Sequence, residues 1–243
     1  MPINSWFKEW FDSEDYHTLY SHRNQEEAAS FINNLHNFLN RPSMRVLDMA
    51  CGKGRHVQTF AHLGHKAVGF DLSKNSIDYA RKENANNLSF HVHDMREPFP
   101  FGRFDLIANL FTSLGYFNTM EENMLPIKHA ANCLEGGGLL VIDFINVFPA
   151  VAKMKAEEAI DKEGVRYHIE RSVQDRVLVK RIRFKRNDEW QEYEERVFGL
   201  VREDFMQGFK DNNFVCKEVF GDYSLNYFDK QRSPRLILIA QKQ

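Results

Sequence analysis

The apolar positions in the first half of the chain form short runs that alternate with helical patterns. The runs are RVLDMA, KAVGFDLS, LSFHVHDM, FDLIANLF and GGLLVIDFI, between Arg45 and Ile145. The intervening segments, residues 57–63, 74–84 and 121–133, have the spacing of helices. Buried-type strands separated by helices predict a doubly wound, mostly parallel sheet, because parallel neighbours need crossover connections.

The segment before the first run has a helical pattern throughout residues 1–40. Its second half, QEEAASFINNLHNFL, predicts an amphipathic helix that covers the sheet. The apolar positions that carry this pattern are Ala28, Phe31, Ile32, Leu35 and Phe38. The first half, WFKEWFDSEDYHTLYSHR, is rich in aromatic residues, which predicts packing against a neighbouring helix or a bound ligand.

After about Pro149, polar and apolar residues alternate instead. The runs RYHIERSVQ, RVLVKRIRFKR and EWQEYEERVFGLV have the period of antiparallel strands with one solvated face. In the second run, apolar residues from Leu178 to Phe184 fall on one face and basic residues from Arg181 to Lys185 on the other. These runs predict a small antiparallel meander.

The chain closes with a helical pattern in REDFMQGFKDNNF and two strand candidates, CKEVFG and PRLILIAQ, which complete a seven-stranded sheet. No linker rich in Pro, Gly or Ser separates the meander from the rest, so residues 1–243 are interpreted as one domain. Its parts are an N-terminal helical region at 1–40, a core at 41–149, an antiparallel β insertion at 150–201 and the C-terminal completion of the sheet at 202–243.

Composition narrows the partners only slightly. The 243 residues are 43% hydrophobic, which suits one embellished α/β domain or two small domains, and the net charge of −2 gives no overall attraction to nucleic acid or membranes. The three cysteines lie far apart without CxxC pairing, so neither a disulfide framework nor a metal site is predicted. Because no long apolar span or signal peptide is visible, we expect a cytoplasmic protein without a membrane segment.

The stretch VLDMACGKGRH, residues 46–56, follows the first strand, where open α/β sheets bind their ligands. Gly52 and Gly54 allow close approach of the backbone to a ligand. A dinucleotide fingerprint is incomplete, because its third glycine would fall at Val57. Asp48 would also repel a pyrophosphate, whereas it suits an ammonium group or the loop's own amides. The loop therefore disfavours a dehydrogenase.

Two further aspartates follow the next two strands. Asp71, in GFDLS, can accept both hydroxyls of a ribose, and Asp94, in HDM, can accept the exocyclic amine of an adenine. Together with Asp48 they describe a ligand that carries an amine, a ribose and a base.

These motifs resemble those of the class I S-adenosylmethionine-dependent methyltransferases of the small-molecule type, from about Arg45 through Phe144. The resemblance implies a Rossmann-like sheet, S-adenosylmethionine as the cofactor and S-adenosylhomocysteine as its product. It also implies a set of cofactor-binding residues: Asp48, Ala50, Cys51, Gly52, Gly54, Asp71, Leu72, Asp94, Met95, Asn109 and Leu110.

The methyl acceptor is expected to approach the end of the fourth strand, residues 109–117, with Phe111 and Tyr116 as substrate-binding candidates. Methyl transfer is an in-line displacement, so a general base is needed only for a protonated acceptor. Relatives that methylate nucleobase or glutamine amines carry an Asn/Asp-Pro-Pro-Tyr/Phe signature here. This chain has Asn109-Leu110-Phe111-Thr112 instead, which disfavours those substrates.

The aromatic leader is the other candidate wall for the acceptor. Tyr16, Tyr20 and Arg23 share one face if this stretch is helical, and such side chains can bind a cation or a carboxylate. Resemblance to small-molecule methyltransferases suggests a lid, with Tyr16 and Arg23 as substrate-binding candidates and Tyr20 and His22 as catalytic candidates. A solvated helix face without a ligand is the alternative.

Two other functions compete with a small-molecule methyltransferase. An RNA methyltransferase could use the basic face of RVLVKRIRFKR, although the glutamates that follow favour cross-strand ion pairs. A non-catalytic protein that binds the cofactor or supports an oligomer is the second alternative. The insertion could form a homodimer surface or a substrate roof, and the identity of the acceptor and of the methylated atom stays open.

Overall fold

The computed structural model of the protein describes residues 6–20, 25–83 and 85–243. The helices are α1 Trp6–Phe11, α2 Glu14–Leu19, α3 Gln25–Leu39, α4 Arg55–His62, α5 Lys74–Ala80, α6 Met120–Cys133, α7 Val147–Ala152 and α8 Arg202–Asp211. The strands are β1 Arg45–Met49, β2 Lys66–Asp71, β3 Leu88–Val92, β4 Phe104–Asn109, β5 Leu134–Ile145, β6 Glu157–Lys162, β7 Val165–Gln174, β8 Val177–Arg186, β9 Glu189–Phe198, β10 Phe214–Phe220 and β11 Arg235–Lys242.

Seven strands form one sheet in the order β10-β11-β5-β4-β1-β2-β3. The neighbours from β5 to β3 are parallel, and β11 runs antiparallel to both β5 and β10. The predicted seven-stranded, mostly parallel Rossmann-like sheet is confirmed. This order places the ends of β1, β2 and β4 side by side at one edge.

Helices cover both faces of this sheet, because each strand is apolar on both sides. On one face, α3, α4 and α5 bury side chains such as Phe31, Phe60 and Ile77. On the other face, α6 and α8 bury Ile127 and Phe205. The burial of both faces explains why the strands read as continuous apolar runs.

The N-terminal region is divided into three helices instead of one continuous helical stretch. Asp12 and Ser13 separate α1 from α2, and the Ser13 hydroxyl caps α2 by accepting from the backbone N–H of Tyr16. Ser and Asp favour such caps because their side chains replace missing backbone partners. The following helix, α3, is the amphipathic helix that the apolar spacing predicts.

A second sheet, of order β6-β7-β8-β9, is antiparallel throughout. The sequence predicts three of its strands and misses β6, whose residues EEAIDK are polar and lie at the edge. On the inner face of this sheet, α1 and α2 pack against it through an aromatic cluster. The fully described buried members are Trp10, Leu19, Tyr167, Ile169, Ile182 and Phe184.

The basic outer face of β8 is neutralised by β9. Arg181 pairs with Glu194 at 2.8 Å and Arg183 with Glu192 at 3.3 Å, each directly across the strands. The predicted cross-strand ion pairs are therefore present, and they compensate the charges that suggested a phosphate track.

Candidate active site

A cavity of about 370 Å³ lies at the ends of β1, β2 and β4, and the leader, α1 and α2, closes it from above. Most of the residues predicted for the site line this one cavity. They are Tyr16, Tyr20, Ala50, Cys51, Gly52, Asp71, Leu72, Asp94, Met95, Leu110, Phe111 and Tyr116. The structure thus brings the candidate cofactor residues and the candidate acceptor residues together.

The loop after β1 is a tight turn with its backbone exposed to the cavity. Ala50, Gly52 and Gly54 have φ angles of 58°, 55° and 84°, in the left-handed region that favours glycine. A Cβ atom at Gly52 would meet no other atom within 4 Å, so this glycine leaves open space beside the cavity. A Cβ atom at Gly54 would lie 2.6 Å from the Phe90 ring. Gly54 therefore serves the packing of α4 against β3.

Asp71, at the end of β2, is fixed by the two loops beside it. Its two carboxylate oxygens accept the backbone N–H groups of Gly52 and Ser73, each at 2.8 Å. Burial raises the pKa of Asp71, and these two hydrogen bonds oppose that rise. A carboxylate accepts about four hydrogen bonds, so further acceptor capacity is available to a ligand in the cavity.

Asp48 and Asn109 lie just behind the cavity and do not line it. Asp48 is 1% exposed, and its Oδ2 atom has no hydrogen-bond partner, since His56 Nδ1 is 3.9 Å away. Asn109 donates to the carbonyl of Met49 at 3.1 Å, and its Oδ1 atom also has no partner. Burial raises the pKa of Asp48 and lowers that of His56, so both favour their neutral forms. Orphaned buried acceptors of this kind mark a place for a bound donor.

Asp94, in the loop after β3, is already part of a charged pair. The Arg96 guanidinium approaches it at 2.7 Å, and the backbone N–H of Arg96 donates to Oδ1 at 2.9 Å. Met95 lies between them and lines the cavity. On the same side, the Nε2 atom of His93 is buried without a partner. His93 is one of the site residues that the sequence assigned only to packing.

The leader is anchored to the second sheet by Glu195 of β9. This carboxylate, whose side chain is 13% exposed, accepts from Trp10 Nε1 at 2.7 Å and from the Tyr20 hydroxyl at 2.7 Å. Lys180 of β8 lies 3.7 Å from Glu195 and donates to the same hydroxyl. The Tyr20 ring lines the cavity, while its hydroxyl is held in this cluster.

His17, on α2, also lines the cavity, and the sequence missed it. Burial, followed by the positive charge of Lys53, lowers the pKa of His17 to about 4 against the opposing effect of Asp12. The ring is therefore neutral near pH 7. His22 and Arg23, which the sequence favoured, lie outside the described residues.

A second tether ties the leader to the ribose side of the cavity. Asp12 accepts from the Ser73 hydroxyl at 2.5 Å and from Asn75 Nδ2 at 2.6 Å. Because Ser73 also donates to Asp71, the leader and the predicted ribose-binding carboxylate are linked through one residue.

The wall opposite the leader is formed by residues 110–117, after β4. Phe111 and Thr112 both have positive φ angles, 66° and 60°. Gly115 accepts the backbone N–H of Phe198, which joins this wall to the end of the second sheet. Tyr116 packs edge-on against Phe11 of the leader, with ring centroids 5.2 Å apart.

Several further residues line the cavity although the sequence did not propose them for the site. They are Phe11, His17, Lys53, Arg55, His56, Phe70, Ser73, Ser76, His93, Thr112, Ser113 and Phe117. Many adjoin a predicted residue in sequence, so the neighbours of each motif were the available signal. Phe11 and His17 had no such signal, since their position depends on how α1 and α2 dock.

The same survey gives two results on membranes and metals for the described ranges. None of the helices there combines the length and apolar character that a membrane crossing requires. Within those ranges, no group of three or more His, Cys, Asp or Glu side chains is arranged to hold a metal ion.

Comparison with known proteins places this geometry. The family model described as "Methyltransferase domain" matches residues 40–198. A dTDP-3-amino-3,4,6-trideoxy-alpha-D-glucopyranose N,N-dimethyltransferase from Streptomyces venezuelae is 35% identical over 99 residues, which are 40% of this chain and 41% of that protein. The chain thus matches about two fifths of the length of such curated relatives.

Solved structures extend the likeness to nearly the whole fold. A S-adenosylmethionine-dependent methyltransferase from Clostridium acetobutylicum superposes with a TM-score of 0.78 at 19% identity, covering 93% of this chain and 96% of that one. An amino pentose methyltransferase from Micromonospora echinaspora, solved with S-adenosylmethionine bound, has a TM-score of 0.70 at 22% identity, covering 95% and 98%. At these identities the likeness shows the fold.

The fold and the family match define a class I S-adenosylmethionine-dependent methyltransferase of the small-molecule type, so the predicted resemblance is confirmed. The chain belongs to the methyltransferase-domain family.

Proposed function

We propose that this protein transfers the methyl group of S-adenosylmethionine to the amine of a small molecule, with nucleotide-linked amino sugars as the substrate class. The observation that carries the proposal is the shared cavity, in which the carboxylates at the strand ends face the aromatic leader and the wall after β4. The printed activities of the curated relatives, which are N,N-dimethyltransferases of dTDP-linked amino sugars, support the choice of an amine.

The described residues fit the cofactor. Asp71 keeps acceptor capacity for ribose hydroxyls, and Gly52 leaves open space above the loop. The orphaned Oδ2 of Asp48 and Oδ1 of Asn109 lie one or two residues from the lining residues Ala50 and Leu110. A nearby ammonium group would offset the desolvation that raises the pKa of Asp48. We assign the ribose to Asp71, the adenine to Asp94 and Met95, and the methionine end to the loop from Asp48.

The acceptor side suits an uncharged amine that is held next to a positive sulfonium. When bound, the cofactor supplies an electrophilic methyl group, and the protein has to align the nucleophile and exclude water. The Tyr16, Tyr20 and Phe111 rings line the cavity and can face a cation. His17 is neutral near pH 7, so it adds no positive charge beside the sulfonium.

Tyr20 is proposed as a wall residue and not as the proton acceptor. Its hydroxyl already donates to Glu195 and accepts from Lys180, so its ring is the part that the substrate would meet. The substrate role of Arg23 and the catalytic role of His22 stay predictions.

The test is a methyl-transfer assay read by mass spectrometry, with a dTDP-linked 3-amino sugar and the same sugar nucleotide carrying a 3-hydroxyl group. We expect a mass increase of one or two methyl groups on the amine and none on the hydroxyl compound. Transfer to the hydroxyl compound alone would overturn the assignment of the amine. Absence of transfer to a broad amine panel, with the cofactor bound, would favour the non-catalytic alternative.

We also propose a cytoplasmic location and, if the chain forms a homodimer, a contact through the outer face of the four-stranded sheet. The described cysteines are free thiols, which suits a reducing compartment. The leader covers the inner face of that sheet, which leaves the outer face for a second copy. Light scattering coupled to size exclusion would test the dimer, with Trp190→Glu on that face as the disrupting variant.

A further inference from the structure

A buried ion pair, Asp143 with Arg235, lies behind the wall after β4. Asp143 is near the end of β5 and 1% exposed, and Arg235 begins the antiparallel neighbour β11. Arg235 Nε donates to Asp143 Oδ1 at 2.7 Å. Burial acts to lower the pKa of Arg235, but Asp143 and Tyr223 raise it overall, so the guanidinium stays charged.

The remaining hydrogen bonds of this pair converge on Phe111 and Thr112. Asp143 Oδ2 accepts the backbone N–H of Phe111 at 2.8 Å, and the Asp143 carbonyl accepts that of Thr112 at 2.9 Å. Arg235 Nη2 donates to Thr112 Oγ1 at 3.0 Å. Both residues of the corner are thus bonded to the pair through their backbone amides, and Thr112 also through its side chain.

This corner needs such support because its backbone is strained. Phe111 and Thr112 are consecutive non-glycine residues in the left-handed region, which persists only where the surroundings enforce it. The Phe111 ring is fixed as well, since the guanidinium carbons of Arg55 and Arg235 lie 4.5 Å and 5.5 Å from its centroid. The Tyr223 hydroxyl donates to Asp143 at 3.1 Å and completes the cluster.

We propose that Asp143 and Arg235 are positioning residues that hold the Phe111–Thr112 corner and thereby set the acceptor wall against the cofactor. The inference rests on the proposed function, because the wall has this role only if the acceptor binds beside it. The contacts that fix Asp71 come from Gly52 and Ser73 and do not involve the pair. Loss of the pair is therefore expected to affect the acceptor and to spare the cofactor.

The experiment compares Asp143→Asn and Arg235→Lys with Ile239→Val, a buried control on the same strand that pairs with Val141, away from the corner. Three quantities are measured: amide hydrogen exchange at Phe111 and Thr112, the KM and kcat for the dTDP-linked amino sugar, and the Kd of S-adenosylhomocysteine. For Asp143→Asn we expect exchange to accelerate about tenfold or more. The acceptor KM is expected to rise about tenfold or more, with the Kd within about twofold.

Arg235→Lys keeps the charge but loses the fork that reaches Thr112, so we expect a smaller change of the same kind. It also provides a folded variant if Asp143→Asn does not fold. Unchanged exchange at both amides would overturn the proposal. Faster exchange with an unchanged acceptor KM would overturn it too, because the pair would then be merely structural. If the unmodified protein methylates no amine, the proposed function fails, and the exchange result alone decides whether the pair holds the corner.

Discussion

The two halves of the cavity are held in different ways. On the cofactor side, Asp71 accepts the amides of Gly52 and Ser73, which are 19 and 2 residues away. On the acceptor side, Tyr20 is held by Glu195, 175 residues distant, and Phe111 by Asp143, 32 residues distant. The cofactor half is thus a local motif, and the acceptor half is assembled by the fold. We expect single changes to separate cofactor binding from acceptor binding.

The most damaging change to the cofactor half is expected to be Asp71→Ala. It removes the acceptor for two ribose hydroxyls, and each hydrogen bond to a charged group contributes about 1.5–3 kcal/mol. The Kd of S-adenosylhomocysteine is then expected to rise by about two to four orders of magnitude in calorimetric titration. Asp78→Ala, at an exposed carboxylate on α5, is the control with no expected change. Equal affinity in both variants would refute the ribose assignment.

The two glycines of the loop should separate packing from binding. Gly54→Ala places a Cβ 2.6 Å from the Phe90 ring at a φ of 84°, so we expect the free energy of unfolding to fall by about 2–4 kcal/mol. Gly52→Ala meets open space and should cost only about 1–2 kcal/mol, for its left-handed φ, while weakening S-adenosylhomocysteine binding. Urea denaturation of both variants checks this, and equal stabilities would contradict the packing role of Gly54.

Within the acceptor half, Glu195→Gln tests the anchor of the leader. The change leaves Lys180 without a charged partner and weakens the bonds to Trp10 and Tyr20, so we expect a loss of about 1–3 kcal/mol in unfolding free energy. The acceptor KM should rise more than the Kd of S-adenosylhomocysteine.

Glu194→Gln is the matched control for this anchor. Glu194 is the next residue along β9, and it pairs with Arg181 on the solvated outer face. An exposed pair of this kind contributes about 0–1 kcal/mol, so both stability and KM should stay nearly unchanged. Similar losses in the two variants would mean that the inner cluster does not hold the leader.

The smallest expected effect is the pH dependence of leader docking through His17. Its pKa is lowered from 6.5 to about 4 by burial, and Lys53 contributes to the shift. The neutral ring therefore stabilises the folded state fully above pH 6.5, and this contribution is lost as the pH falls toward about 4. Denaturation at several pH values should show the loss in the parent protein and a weaker one in His17→Gln. Identical pH profiles would exclude His17 as its source.

The fold and the cofactor half could be predicted from the sequence because their signals are local. The apolar runs of β1, β2 and β4 each end next to a motif residue, and parallel strands bring those ends together. The sequence still could not tell which glycine faces a ligand. Gly54 matches the motif as well as Gly52 does, and only the Phe90 ring beside it reveals its packing role.

The acceptor half could be predicted only in outline, because its contacts join distant parts of the chain. The aromatic leader suggested a wall, but the rotation of α2 is set by the Ser13 cap and by docking on the second sheet. That rotation turns His17 toward the cavity, whereas the sequence favoured His22. The buried pair of Asp143 and Arg235 gave no signal, since each residue alone looks like an ordinary strand end.

The most direct test of the account is a crystal structure of the protein with S-adenosylhomocysteine bound. The account predicts ribose hydroxyls within about 2.6–3.2 Å of the Asp71 carboxylate oxygens, and the sulfur atom facing the space between the leader and Phe111. A ligand that binds elsewhere, or whose ribose avoids Asp71, would contradict the assignment of both halves of the cavity.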